Sequence, residues 1–188
     1  MNYIKSFFTF LARKIGLDVK KIWGRIKMSK HPHEKFMKRA IELSRLAGVE
    51  KKTGGVFGAV IVKDDEIIAE GYNRVVGDND ATCHAEIDAI RKAGKKLGNP
   101  LLEGCVLYTS AFCCPMCLCG AYWAHIKEIY YAATVEDSRK YGEFADDDYY
   151  AEMKKEIKDR KIKCTEFMRA EAVEVWKEFS KMEDRAKY

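Results

Sequence analysis

Apolar positions between residues 33 and 47 recur at intervals of three and four residues, which is the spacing of an amphipathic helix. Gly48 follows this run and predicts the end of the helix. Two apolar segments, 56–62 and 67–69, then flank the polar residues 63–66, as is typical of a β-hairpin. The first half of the chain is therefore expected to supply one helix and two antiparallel strands.

Beyond residue 82 the pattern alternates between helix and strand. It predicts helices at 84–97, 115–125, 146–158 and 168–184, and strands at 105–109, 129–133 and 162–167. Pro115 suits the first turn of the second of these helices. With the hairpin included, this order predicts a single α/β domain of three layers, in which a mixed five-stranded sheet lies between helices.

Residues 1–27 have a composition of their own. Their apolar positions again follow helical spacing, and they contain seven basic residues against one acid, Asp18. Since the formal charge of the whole chain is +5, residues 28–188 carry a net charge of about −1. We interpret 1–27 as a basic amphipathic N-terminal extension of a domain at 28–188; the alternative is a helix that makes weak contact with a membrane surface or a partner.

The near-neutral charge of residues 28–188 argues against a nucleic-acid-binding protein, because such proteins concentrate basic residues in the binding domain. The chain also has seven cysteines, four of which lie between residues 113 and 119. An odd and crowded set is atypical of a disulfide framework. It favours metal-ligating or catalytic thiols in a reducing compartment, so we expect a cytoplasmic protein.

Two short motifs combine into a candidate metal site. His84-Ala85-Glu86 and Cys114-Pro115-Met116-Cys117 each open a predicted helix. The Cys-x-x-Cys spacing on a first helical turn places both sulfurs on one face, and His84 supplies a third ligand. Three nitrogen and sulfur ligands with a fourth position open are typical of catalytic zinc. Glu86 is then placed to carry a proton without binding the metal.

The order His-x-Glu, about thirty residues, and Cys-x-x-Cys is typical of the zinc deaminases that act on nucleobases and nucleosides. Each half alone is weak, and a structural zinc knuckle or a redox cysteine pair stays open as an alternative. Cys113 and Cys119 are further thiols beside the motif. We favour Cys114 and Cys117 as ligands because Cys117 and Cys119 point about 200° apart on a helix.

Around these motifs the sequence resembles the cytidine-deaminase-like superfamily and, within it, the bacterial-type guanine deaminases. The resemblance covers nearly all of residues 29–188. It rests on segments at 55–64, 70–73, 79–80, 84–93 and 107–117, and more specifically on 122–124, 130–133, 144–150 and a C-terminal segment with Trp176 and Tyr188. The chain departs from the family in having Phe112-Cys113, where Glu-Pro is common before the first cysteine.

The resemblance implies a role for each matching residue. His84, Cys114 and Cys117 would bind Zn²⁺, and Glu86 would be the catalytic proton carrier. The substrate-binding residues would be Phe57, which stacks on the purine base, and Asn73 and the Ala85 backbone, which hydrogen-bond it. Asp147, or the residue on either side of it, would bind the amino and ring N–H groups of the base, and Tyr188 would be a further substrate-binding residue. In that family the C-terminal segment is domain-swapped in a homodimer, so Tyr188 would close the cavity of the partner.

The expected activity is hydrolytic deamination of guanine to xanthine and ammonia. One alternative substrate is guanosine or another amino-heterocycle. Another is adenosine in tRNA, which the charge of residues 28–188 disfavours. A non-catalytic zinc-binding module is the alternative from a different class, and Glu86 argues against it because a structural zinc site needs no proton carrier.

Overall fold

The computed structural model describes residues 32–188. Residues 36–188 form one compact unit, and of the preceding unit, residues 1–35, the structure describes a turn and the first residues of a helix. The predicted extension at 1–27 lies outside the described residues. Among the helices of the described part, none is long and apolar enough to cross a membrane.

The described residues contain α-helices joined to strands in an α/β order. The helices are α1 (Glu34–Arg45), α2 (Ala85–Leu97), α3 (Pro115–Trp123), α4 (Val135–Gly142), α5 (Asp146–Met153) and α6 (Arg169–Lys181), and the strands are β1 (Gly58–Lys63), β2 (Glu66–Tyr72), β3 (Val106–Ala111) and β4 (Glu128–Ala133). A π-helical turn at Leu46–Glu50 follows α1, and a 3₁₀ turn at Ile157–Asp159 follows α5.

The sheet has the strand order β2-β1-β3-β4 and is mixed, as predicted. Strand β1 pairs antiparallel with both β2 and β3, whereas β3 and β4 are parallel. Asp64 and Asp65 connect β1 to β2 with φ values of 49° and 63°, the left-handed conformation that a two-residue hairpin turn requires. The hairpin predicted around residues 63–66 is confirmed.

Alternation along β1 and β3 gives the sheet two buried faces. Val60, Val62 and Tyr108 pack with Phe36, Ala40 and Leu43 of α1. The intervening residues of the same strands, among them Ala59, Ile61 and Leu107, pack in a second cluster with the alanines of α2 and with Cys117 and Ala121 of α3. Helices therefore cover both faces, which is the three-layer arrangement expected from the sequence.

Helix α2 approaches the sheet closely because β2 has a glycine beneath it. A Cβ atom at Gly71 would lie 2.0 Å from the Ala85 carbonyl oxygen and 2.6 Å from the Ala89 nitrogen. Any side chain at this position would push the first turn of α2 outward. The packing of Gly71 therefore fixes the end of the helix that begins directly after His84.

The structure corrects the predicted fifth strand. Residues 162–167 form no regular element, so the sheet has four strands within the described residues. A strand is stabilised by pairing with a neighbour and burying one face. In this chain Ile162 and Phe167 remain 79% and 84% exposed. Their apolar character suggested a strand, but this chain alone does not bury them.

Two helical segments also differ from the prediction. Helix α4 was not predicted, although Thr134 and Asp137 form a capping box at its start, in which each side chain accepts a hydrogen bond from the backbone N–H of the other. Helix α5 ends at Met153 and not at residue 158. Residues 154–159 carry several charged side chains that gain little from burial, so the helix gives way to a turn.

Candidate active site

The N-terminal ends of α2 and α3 meet and bring together His84, Cys114 and Cys117, three side chains that could hold a metal ion and are called the metal-ligating cluster below. His84 directly precedes α2, Cys114 directly precedes α3, and Cys117 lies in the first turn of α3. The His84 Nδ1 atom lies 3.5 Å from the sulfur of Cys114 and 3.5 Å from that of Cys117. The ligand atoms of all three residues lie within 4.8 Å of one another. The sequence spacing thus produces one compact cluster.

Electrostatics in this cluster favour a thiolate. The Cys117 thiol and the His84 ring both hydrogen-bond Cys114 and lower the pKa of its thiol to about 4. The same contact with Cys114 raises the pKa of His84. Thiolates are the form in which cysteine binds metals, and helix N-termini stabilise them through the partial positive charge of free N–H groups. The cluster is therefore suited to a cation.

Glu86 lies two residues beyond His84 and is only 3% exposed. Burial raises the pKa of its carboxyl group, which therefore exchanges a proton more readily near neutral pH than an exposed glutamate does. Its Oε1 atom lies 3.0 Å from the Thr109 hydroxyl oxygen, and its Oε2 atom lies 3.4 Å from the Cys117 sulfur. One carboxylate oxygen is thus held by β3 while the other faces the metal-ligating group.

A cavity of about 400 Å³ opens onto His84, Glu86 and Cys114. Its walls are largely apolar and aromatic, and polar groups enter at a few points. The lining includes Phe57, Phe112, Phe144 and Tyr149 together with Asn73 and Asp146. A mostly apolar pocket with a few convergent polar groups is typical of a site for a small planar ligand.

Asn73 is buried in the cavity wall and its amide is fixed by its surroundings. The Val75 backbone N–H donates to its Oδ1 at 3.2 Å. Opposite that oxygen is Gly54, where a Cβ atom would lie only 1.9 Å away. The glycine leaves the space that the amide occupies, so the Asn73 side chain has one defined position.

The loop from Asn73 to His84 is held by Arg74 at its first turn. The Arg74 backbone N–H donates to the Cys83 carbonyl oxygen at 3.0 Å, which brings the two ends of the loop together. The Arg74 guanidinium contacts Asp88 of α2 at 2.8 Å and Asp78 of the loop at 2.8 Å. These contacts fix Asn73 relative to the metal-ligating His84.

The structure brings most of the expected site residues together. Phe57, Asn73, His84, Glu86 and Cys114 line the cavity, and Cys117 lies in the metal-ligating cluster. Ala85 is fully buried as the first residue of α2.

The side chain of Asp147 lies outside the described part of the structure, whereas Asp146, one residue earlier, lines the cavity and is 8% exposed. Tyr188 lies away from the lining of this chain's cavity, with its ring centroid 5.9 Å from that of Trp123. Cys113 is buried, but it is not part of the metal-ligating cluster found among the described residues.

Comparison with known proteins agrees with this geometry. A family model described as the cytidine and deoxycytidylate deaminase zinc-binding region matches residues 30–133. Guanine deaminase of Bacillus subtilis (strain 168) is 52% identical over 130 residues, which cover 69% of this chain and 82% of that protein. The X-ray structure of guanine deaminase from Bacillus subtilis matches with a TM-score of 0.79 at 44% identity, covering 83% of this chain and 98% of the other. This chain belongs to the guanine deaminase family of zinc-binding deaminases.

Relatives that act on RNA are similar over a shorter part of the chain. The tRNA-specific adenosine deaminase of Agrobacterium fabrum (strain C58) is 40% identical over 98 residues, which cover 52% of this chain and 63% of that protein. A solved tRNA:A34 deaminase structure matches with a TM-score of 0.51 at 39% identity over 53% of this chain, so the two groups share the deaminase fold.

Zinc is the cofactor of this guanine deaminase family member, and the cluster fits it. One imidazole nitrogen and two thiolates are the donor set of several catalytic zinc sites, in which three protein ligands leave a fourth position open. The cavity borders His84 and Cys114, so an open position is accessible to a small molecule there. The chain is a zinc-dependent deaminase, and hence a hydrolase.

Sequence reasoning assigned no role in this site to Thr109, Phe112 or Phe144, whereas Asp146 is next to Asp147 and was one of the alternatives for that position. Thr109 is a fully buried polar residue of strand β3. A polar residue in a strand expected to be buried on both faces needs a hydrogen-bond partner, and this was a usable signal. The two phenylalanines gave no such signal, since aromatic residues are common in any core.

Proposed function

We propose that this protein hydrolyses guanine to xanthine and ammonia. The observation that supports it most strongly is the convergence, in one cavity, of an aromatic wall, an amide, a carboxylate and the His84, Glu86 and Cys114 group. A flat aminopurine has an aromatic face, hydrogen-bond acceptors and N–H donors, and the cavity offers a partner to each. The family to which the chain belongs includes relatives named as guanine deaminases.

In the proposed mechanism the side chains divide into binding and proton-transfer roles. Phe57 packs against the face of the base, Asn73 hydrogen-bonds its edge through the amide, and the backbone at Ala85 offers a further contact. Bound zinc supplies the Lewis acidity that makes a water molecule a nucleophile at neutral pH. Glu86 accepts a proton from that water and delivers it to a ring nitrogen as the oxygen adds to the amino-bearing carbon. The proton of the added hydroxyl then passes through Glu86 to the amino group, which leaves as ammonia, and the oxygen stays on the carbon as the oxo group.

One acidic residue at the start of α5 binds the amino and ring N–H groups of the base in this proposal. The resemblance assigns this role to Asp147. Asp146 is the alternative that geometry favours, because its buried carboxylate lines the cavity. A carboxylate accepts hydrogen bonds from N–H donors and offers no donor itself when ionised, so it selects guanine over bases that present only acceptors at that edge.

The test of this function is ammonia release from purified protein of measured zinc content. The panel is guanine, guanosine, adenine, adenosine, cytosine and cytidine, with an adenosine-containing tRNA anticodon stem as the RNA substrate. Turnover of guanine with about one zinc per chain is the expected result. The matched control is Glu86→Gln, which should keep zinc and lose activity by at least about a hundredfold. Turnover of another substrate with none of guanine would overturn the proposal.

Adenosine in tRNA is the second candidate function, and charge distribution disfavours it. Residues 28–188 sum to about −1, whereas a tRNA enzyme needs basic contacts to phosphates, whose effect weakens with salt. Guanosine or another amino-heterocycle is the nearer alternative, because tolerance of a ribose depends on where the C-terminal segment lies relative to the cavity.

We further propose that the protein acts as a domain-swapped homodimer, in which the C-terminal segment of each chain closes the cavity of its partner through Tyr188. Helix α6 has no buried residue within the described structure, and its Trp176 is 70% exposed. A helix with exposed aromatic and aliphatic side chains is typical of one that packs on another chain. This supports a partner for α6 and the residues on either side of it.

Complementation between two inactive variants tests the swap. Glu86→Gln disables a chain's own site, while Tyr188→Ala disables the site that its C-terminal segment covers. In a mixed dimer the intact segment of the Glu86→Gln chain covers the intact site of the Tyr188→Ala chain, so co-expression should restore up to about one active site per dimer. Mixed dimers that stay as inactive as the separate variants would exclude the swap.

We also propose that the protein acts in the cytoplasm. All seven cysteines are free thiols, which supports a reducing compartment such as the cytoplasm.

The basic extension at residues 1–27 is proposed to be a segment ahead of the deaminase domain at 28–188, with a weak affinity for anionic surfaces as its alternative role. Flotation with anionic liposomes, with and without residues 1–27, tests this, and equal partitioning would exclude the membrane role.

A further inference from the structure

Helix α5 places Asp146 in the lining of the cavity. Few contacts within the helix fix the position of the helix itself. It spans eight residues, Asp146–Met153, and Ala145 at its N-cap provides no side-chain hydrogen bond to the first turn. A short helix without a cap depends on tertiary contacts for its stability. Phe144, just before it, contacts Phe57 edge to face at 4.9 Å between ring centroids. Arg139 of α4 pairs with Asp148 of α5 at 3.2 Å, and a further contact holds the later part of α5.

That contact is made by Tyr150. Its hydroxyl donates a hydrogen bond to the Cys113 carbonyl oxygen at 2.7 Å. Its ring lies beside Phe112, with centroids 6.2 Å apart. Burial raises the pKa of the Tyr150 hydroxyl to about 12, so it stays protonated and a donor across the neutral range.

The acceptor of this hydrogen bond belongs to the metal-binding loop, the segment 112–114 between β3 and α3. At one end of the loop the Phe112 N–H donates to the Ala133 carbonyl oxygen at 2.9 Å. At the other end Cys114 enters the metal-ligating cluster. The chain has Phe112-Cys113 here without a proline that would restrict the backbone. The Tyr150 hydroxyl therefore restrains the peptide directly before a metal ligand.

We propose that Tyr150 is a positioning residue that ties the cavity-lining helix α5 to the metal-binding loop. Through this one hydroxyl Tyr150 helps to place both Cys114 toward zinc and α5 toward the substrate. Tyr150 does not itself line the cavity. The substrate half of this inference rests on the proposed function, whereas the metal half does not.

The test compares Tyr150→Phe, which keeps the ring and removes the hydroxyl, with the unaltered zinc-loaded protein. The first readout is the rate at which zinc passes to a coloured chelator, expected to rise about fivefold on loss of one partly buried hydrogen bond. The second is the split between KM and kcat for guanine, with KM rising about fivefold and kcat changing less than about twofold. Tyr141→Phe, which removes the hydroxyl of an exposed tyrosine on α4, is the matched control and should change neither.

The outcomes distinguish the effect of Tyr150 on zinc binding from its effect on substrate binding. Zinc release at the unaltered rate in Tyr150→Phe overturns the proposal. Faster zinc release with an unchanged KM also overturns it, because Tyr150 would then hold the loop without placing α5. If neither protein deaminates guanine but Tyr150→Phe releases zinc faster, the proposed substrate falls and the metal half stands. The KM comparison is then made with whichever base the ammonia panel identifies.

Discussion

The Thr109 hydroxyl oxygen lies 3.0 Å from Glu86 Oε1 and 2.9 Å from the Ala111 carbonyl oxygen. The hydroxyl has one hydrogen and two acceptors within reach, and Thr109 is fully buried. It donates to the Glu86 carboxylate when that group is ionised. When Glu86 carries a proton, Glu86 donates to the Thr109 oxygen and the hydroxyl turns to Ala111. Thr109 therefore holds the carboxyl group in place in both protonation states.

Replacement of Thr109 by valine should lower kcat by about ten- to a hundredfold, because a hydrogen bond to a charged group contributes about 1.5–3 kcal/mol. Valine has nearly the same shape, so the fold and zinc content should persist. Steady-state kinetics with a zinc assay measure both effects. Thr109→Ser keeps the hydroxyl and should retain most of the activity. A valine variant with unaltered kcat would show that Glu86 needs no support from β3.

Gly54 should tolerate no side chain. A Cβ at this position would lie 1.9 Å from Asn73 Oδ1, so Gly54→Ala must displace the amide or the loop. Displacement of a binding group by about 1 Å can cost a hundredfold in rate, so we expect kcat/KM for guanine to fall about ten- to a hundredfold. Gly94→Ala is the control, because a Cβ there would meet its nearest atom at 3.4 Å, an ordinary contact. Equal kinetics in both variants would argue against a role for Asn73.

The acidic residues at the start of α5 can be separated by paired amide variants. If Asp146 binds the base, Asp146→Asn should raise KM for guanine by about ten- to a hundredfold, since an amide nitrogen then faces N–H donors. Asp147→Asn should change KM by less than about twofold. The reverse result would assign the base to Asp147, as the family resemblance implies. Initial-rate kinetics at saturating zinc give the comparison directly.

Cys113 should be dispensable for zinc binding. It is buried beside Cys114, but the cluster of ligand atoms consists of His84, Cys114 and Cys117. Metal analysis of Cys113→Ala is expected to find about one zinc per chain, while Cys117→Ala should lose it, because a tetrahedral site needs each of its protein ligands. A Cys113→Ala protein without zinc would mean that the loop binds the metal through the earlier cysteine.

Much of the architecture was predictable because its signals are local. The hairpin around Asp64 and Asp65 and the helices starting after His84 and Cys114 follow from alternation, turn residues and Pro115. The metal-ligating cluster followed from spacing, since both motifs open helices. The fifth strand failed for a physical reason, because pairing at 162–167 depends on a neighbouring edge that no local pattern encodes.

The residues of the cavity wall were harder to predict than those of the metal-ligating cluster. Phe144 and Asp146 lie about sixty residues beyond Glu86 in the sequence and reach the cavity only because α4 and α5 pack there. Long-range packing of this kind leaves no periodic trace. The contact between Tyr150 and the Cys113 carbonyl oxygen joins a side chain to a backbone atom, and a backbone acceptor has no residue-type signature at all.

The placement of His84 before α2 and of Cys114 and Cys117 at the start of α3 also affects folding. An ion held by all three joins two points about thirty residues apart in the chain, with α2 and β3 between them, and so cross-links the protein as a disulfide would. By the chain-entropy estimate such a closure is worth about 3–4 kcal/mol relative to the unfolded state. Metal supply would then govern how long the folded protein persists as well as how fast it reacts.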